Sequence, residues 1–202
     1  KVIFSSNIKI KDLYKEGLQR DQFIPFIKVL ENNSLEKDLL IEEDYRSNKN
    51  NNLDRFLYPI NQSTNFKLNK FFRKITKNKD KTLKILEIKG RRLEIKNFYD
   101  KVIKFDFNEL CNKNLGSEDY ISIANICNFI FIENLPNFND DNSNQQQRFI
   151  TLIDIIYEKK IPLMITSKVN LESISSSKSM KEPFKRTVSR LYELTSMNHN
   201  NL

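Results

Sequence analysis

Glycine is nearly absent: Gly17, Gly90 and Gly116 are the three in 202 residues. A phosphate-cradling GxxxxGKS or GxxxxGKT loop needs glycines so that backbone N–H groups can wrap the phosphates. None of the three is followed by Lys-Ser or Lys-Thr, so this chain holds no such loop. Histidine occurs once, as His199 near the end. That excludes a Ser/His/Asp set and, with two cysteines, a zinc set. Cys111 and Cys127 lie too far apart for a CxxC motif, and both are expected to be reduced, buried thiols of a cytosolic protein. No apolar run reaches the ~18 residues that span a bilayer, and the opening KVIFSSN is too short for a signal peptide. Taken alone, the motifs define no complete enzyme.

What is present is a set of clustered apolar segments in a chain that is 39% hydrophobic and 30% charged. FIPFIKVL, LKILEI, FIFI, FITLIDIIY and IPLMIT are core candidates. The net charge of +8 fits an anionic partner (nucleotide phosphates, nucleic acid or a lipid surface) or simple compositional drift. The lysines run along the chain and are not interleaved with aromatics on one element, so a nucleic-acid groove is not expected.

KVIFSS, residues 1–6, reads as a buried strand ended by Asn7. A loop with a short helix follows, interrupted by Gly17. QFIPFIKVLEN has Phe23, Phe26, Ile27 and Leu30 at helical spacing, with Pro25 in the first turn and Asn32, Asn33 and Ser34 as a stop. LLIEE at 39–43 looks like a strand, 44–54 like a loop, and 63–77 like a helix. LKILEIKGRRLEI reads as two strands around Lys89-Gly90, and 102–107 as a third. Helices are expected at FNELCNK, SEDYISIANICN, 145–160 and 184–197, and strands at 129–136 and 161–167. The polar stretch FNDDNSNQ, within a loop over 137–147, and the Ser/Lys-rich stretch 172–182 read as mobile loops. Strand, helix and strand over 129–166 form a parallel βαβ signature. The fold class is mixed α/β, with parallel βαβ units, a small antiparallel β segment over 83–107 and helices. The chain divides at this level into 1–60 and 61–202.

Two residues near the start could carry chemistry. Asn7 ends a strand, and the carboxyl edge of an open parallel sheet is where ligands bind. A carboxamide there orients a water near a phosphate, or forms a turn. Arg20 follows thirteen residues later, just before an apolar helix. Its guanidinium either solvates a helix end or stabilises charge on a transferring phosphoryl group, across a subunit boundary in many assemblies.

The stretch "VIFSSNIKIKDLYKEGLQRDQFIPFI" resembles the sensor-1 strand and arginine-bearing helix of AAA-type P-loop ATPases. More narrowly, it resembles the ZapE-like cell-division ATPase family and its mitochondrial relatives. The resemblance continues through "DYR" at 44–46, "GRRLEI" at 90–95, "FDFNELCNKNLGSEDYISIA" at 105–124, "RFITLIDIIYEKKIPLMITS" at 148–167 and "FKRTVSRLYELTS" at 184–196. It implies the C-terminal part of such an ATPase, with the Walker A and Walker B elements upstream of Lys1. It implies Asn7 as sensor 1, Arg20 as the arginine finger, and Arg186 and Arg190 as candidates for a second nucleotide-sensing arginine. ATP and Mg2+ would be held mainly by upstream residues, with neighbouring subunits of a homo-oligomer completing each site. The full-length protein would be an ATP hydrolase, acting in cell division or protein quality control, and this chain alone inactive. It would be cytoplasmic, with a cell-division or membrane-associated client. Where the family has an acidic C-terminal end, this sequence reads "LTSMNHN". A non-catalytic protein-interaction module is the alternative, with the 137–147 and 172–182 loops as its exposed candidates.

"VIFSSNIKIKDLY" to "GLQR" and "LMITSKVNLESI" to "RTVSRL" also share a form: strand, polar end, linker, arginine on a helix. Either the C-terminal half repeats the logic of the ATPase core in degenerate form, or parallel βαβ units simply look alike.

Overall fold

Short apolar strands become a sheet only where each finds a hydrogen-bonding neighbour, and that condition sorts the expectations above. The structure, a computed structural model, describes residues 3–6, 8–15, 17, 19–37 and 55–196. The chain forms two units, Lys1–Glu42 and Glu43–Leu202.

In the first unit, residues 3–6 form no strand, and Ile3 and Phe4 are exposed. Strand propensity without a ladder partner leaves backbone groups to water, so the expected buried strand is absent from these residues. Of the two stretches that share a form, 163–167 is a strand and 3–6 is not, which favours the reading that they merely look alike. A 3-10 turn at Ile10–Asp12 precedes helix α1, Arg20–Asn33. Pro25 lies inside α1, close enough to the start that its missing N–H removes one early rung. Ile27 is buried, and Phe23 contacts both Tyr14 and Phe26, at ring-centroid distances of 5.4 and 5.2 Å. The strand expected at 39–43 and the loop at 44–54 lie outside the described residues.

The second unit is a six-stranded sheet in the order β1-β6-β5-β4-β3-β2. Its strands are β1 (Phe56–Leu57), β2 (Thr82–Ile88), β3 (Arg91–Tyr99), β4 (Val102–Asp106), β5 (Phe129–Leu135) and β6 (Leu163–Ser167). β4, β5, β6 and β1 run parallel, while β2 and β3 add an antiparallel extension. The βαβ unit expected over 129–166 is present as β5, α5 (Ser143–Glu158) and β6.

Alternation along β4 and β5 splits the side chains between two layers. Ile103, Phe105, Ile130 and Ile132 join a core with α3 (Phe107–Cys111), α4 (Ser117–Ile126), α5 and α6 (Lys181–Ser196). Val102, Phe129 and Phe131 face the other way, against α2 (Gln62–Ile75). α2 starts at a reciprocal cap: Asn61 Oδ1 accepts from the Thr64 N–H, and Thr64 Oγ1 accepts from the Asn61 N–H.

Two two-residue turns build the extension. Lys89 and Gly90 have φ of 49° and 76°, the left-handed pair of a type I′ hairpin. Asp100 and Lys101 repeat that geometry without glycine, at 41° and 66°. The stretches read as mobile loops are pinned to each other. The Ser175 N–H donates to Asn137 Oδ1 at 2.7 Å, and the Lys178 N–H to Asp140 Oδ1 at 2.8 Å. The Ser177 N–H donates to Oε1 of the fully buried Gln146 at 2.9 Å. Asn137, Asp140 and Gln146 thus replace the water that polar loops ordinarily bind.

Both thiols are buried and free. Burial pushes Cys127 up to about 12 and raises Cys111 as well. The neutral thiol is therefore the native form, and its contribution to stability is complete below about 9 and is lost as pH rises toward about 12. At pH 8, alkylation by iodoacetamide is expected to be slower in the native chain than in the denatured one, by roughly two to three orders of magnitude. Equal rates would contradict this packing.

Candidate functional site

Arg20 opens α1, and the residue before it sets its direction. Gln19 adopts a left-handed backbone, φ 59°, which few non-glycine residues hold. The chain turns there, and the Arg20 guanidinium reaches back over the 3-10 turn. One terminal nitrogen donates to the Lys11 carbonyl at 3.1 Å and the other to the Lys15 carbonyl at 3.4 Å. Its Nε is buried and has no partner. These acceptors are neutral, so they hold the fork without cancelling its charge. Asp12 is the acidic group of this turn. The hydrogen bond from Lys15 keeps its carboxyl below the ordinary value, with the charges of Lys15, Lys11 and Arg20 adding to it. Among the described residues no carboxylate bonds Arg20. Asn7 lies outside the described residues.

Arg186 and Arg190 lie in the second unit, one helical turn apart on α6, and converge on one acid. Asp154 of α5 accepts from Arg186 through Oδ2 at 2.9 Å and from Arg190 through Oδ1. Arg190 also lies over the Tyr157 ring, 4.9 Å from its centroid. The Tyr157 hydroxyl donates to Glu193 at 2.7 Å. Both guanidiniums are thus paired, within the fold, with a single carboxylate. Asp154 was not singled out from the sequence, although it faces α6 from the middle of an otherwise apolar helix face.

The carboxyl edge of the parallel strands is also internally satisfied. Asn134, at φ 64° where the β5–β6 register shifts, donates through Nδ2 to Asp106 Oδ2 at 2.7 Å. Its N–H donates to Thr166 Oγ1 at 2.9 Å. Asp106, Asn134 and Thr166 thereby tie together the ends of β4, β5 and β6. Beside them Lys104 pairs with Glu133 at 3.1 Å. Among the described residues, no group of three His, Cys, Asp or Glu side chains could hold a metal ion. The described glycines have other places: Gly17 lies in the turn before α1, Gly90 in a hairpin and Gly116 at the start of α4.

The family model for AFG1-like ATPases matches residues 1–201. The chain belongs to the AFG1-like ATPase family. An uncharacterized protein of Schizosaccharomyces pombe is 31% identical over 175 residues, covering 86% of this chain and 38% of its own length. The cell division protein ZapE of Escherichia coli K12 is 26% identical over 195 residues, covering 96% of this chain and 52% of its own. Lactation elevated protein 1 homolog B of Danio rerio is 29% identical over 176 residues, covering 86% and 35%. The chain thus spans between about a third and a half of the curated relatives it matches. No solved structure matches. Among the described residues no helix is long and apolar enough to cross a membrane.

Proposed function

We propose that this chain is the C-terminal part of an AAA-type ATPase resembling ZapE, in which Arg20 acts on ATP bound by a neighbouring subunit. The observation that carries the reading is the contrast between the arginines. Arg20 is held by neutral carbonyls, whereas Arg186 and Arg190 both bond the carboxylate of Asp154. A guanidinium at a helix start that no described carboxylate bonds is suited to stabilising negative charge that develops on a transferring phosphoryl group. Asn7 is proposed to orient the attacking water as sensor 1. Arg186, the more exposed of the α6 pair, is proposed to exchange Asp154 for a nucleotide phosphate, with Arg190 holding Asp154 in place. Residues 1–60 would close the ATPase core and 61–202 would form an appended α/β region. A homo-oligomer, and a cell-division or protein-quality-control client, belong to the same proposal. ATP, when bound with Mg2+, supplies the phosphoryl group and is held mainly by residues outside this chain.

The test is phosphate release by the full-length protein and by this 202-residue chain under the same conditions. Turnover is expected from the former only. Hydrolysis by the chain alone would overturn the division of labour.

A further inference from the structure

The excess positive charge of this protein is local. Eight of the 34 basic residues and one of the 26 acidic residues fall within 67–84, so this segment carries seven of the eight excess charges. The lysines that look spread along the chain are balanced everywhere else. Lys67 and Lys70 sit on α2, Arg73 and Lys74 in its last turn, Lys77, Lys79 and Lys81 in the connection, and Lys84 on β2. All are exposed except the half-buried Lys79, and among the described residues none of the eight makes an ion pair.

This segment ends on the last strand of the sheet. Among the described residues β2 pairs with β3 alone, and no described strand lies along its outer backbone edge. Leu86 packs into the core shared with α3 to α6, so Leu83 and Ile85 alternate onto the face that α2 covers. They are 57% and 44% exposed there. Lysines on an edge strand ordinarily serve to block pairing with other chains. That role does not account for two aliphatic side chains turned to solvent on the same strand, or for the cations off the strand on α2.

We propose that the β2 edge is a docking site for an extended, acidic segment of a partner protein, added as a seventh strand. Backbone hydrogen bonds to β2 would supply affinity, Leu83 and Ile85 would contact alternate apolar side chains, and the unpaired cations would select carboxylates. Phe71 and Phe72 pack against the core, Phe66 beside the segment is the large aromatic exposed there, and Arg73 is the segment's one arginine, so the patch lacks the stacking platforms of a single-strand nucleic-acid groove. Its open backbone edge favours a strand over a lipid surface.

The experiment uses the full chain and no ATP, so its outcome is independent of the catalytic proposal. Two labelled twelve-residue peptides carry alternating valines, with glutamate in one and lysine in the other at the remaining positions. The acidic peptide is expected to bind at least tenfold tighter at 0.1 M salt, and to protect β2 amides from hydrogen exchange. Combined replacement of Lys70, Arg73, Lys74 and Lys77 by glutamate should abolish the preference. Ile85→Asp, at an exposed position, should weaken binding severalfold with the melting temperature unchanged. Equal binding of the two peptides, binding without β2 protection, or insensitivity to both variants would overturn the proposal. So would stronger binding to a single-stranded oligonucleotide or to phosphatidylserine vesicles.

Discussion

Arg20→Ala in the proposed full-length ATPase is expected to lower turnover by roughly 10³-fold or more, with ATP affinity nearly unchanged. The magnitude follows from the role. A guanidinium that meets charge only as the phosphoryl group transfers contributes to the transition state and little to ground-state binding. Its present bonds, to the Lys11 and Lys15 carbonyls, are made within the chain and exposed to water at the surface of the turn. Exchanging them for phosphate oxygens therefore costs little. Arg20→Lys keeps the charge but not the planar fork, and should recover only a fraction of the activity. Phosphate release under saturating ATP, with nucleotide affinity measured separately, distinguishes this from simple misfolding. An unchanged rate would remove Arg20 from the reaction.

Arg55→Ala should produce the largest loss of stability, about 3 kcal/mol. Arg55 is 3% exposed, beside β1. Its Nε donates to the Thr195 carbonyl at 2.9 Å, and a terminal nitrogen donates to the Leu194 carbonyl at 3.1 Å. Both carbonyls belong to the last described turn of α6. The guanidinium also lies 5.6 Å from the centroid of the Phe129 ring. Alanine removes both guanidinium bonds to these buried carbonyls and leaves a space beside β5. Arg55→Lys should recover part of the loss, because one ammonium cannot reproduce the fork. Urea denaturation of this chain measures the effect as a lowered midpoint at constant slope. A loss below about 0.5 kcal/mol would show that α6 does not depend on this clamp.

Neither Arg55 nor Asp154 is visible in the sequence as anything but a charge, because each works on a partner more than thirty residues away. Periodicity is local and was informative where local forces decide. α2, α5 and the βαβ unit follow from apolar spacing, and the Lys89-Gly90 hairpin follows from its turn residues. The same logic fails at residues 3–6, where an apolar run has no ladder to join. It also misses the end of β3, which runs on to Tyr99 because Asp100 and Lys101 form a left-handed turn without the usual glycine. The Ser- and Asn-rich loops read as mobile because their anchors, such as Gln146, are side chains of a distant helix. For the candidate site, the motif around Arg20 pointed to the residue but not to its setting. That the guanidinium rests on neutral carbonyls is a consequence of Gln19 geometry, which composition does not encode.

Mixing subunits tests most directly whether Arg20 serves a nucleotide held by another subunit. One partner carries Arg20→Ala with an intact ATP site, and the other carries Arg20 with its own ATP site disabled. Each is expected to be inactive alone, and the mixed assembly to regain phosphate release as the second partner is titrated in. A mixture that stays inactive, although the subunits co-assemble, would contradict action across the subunit boundary.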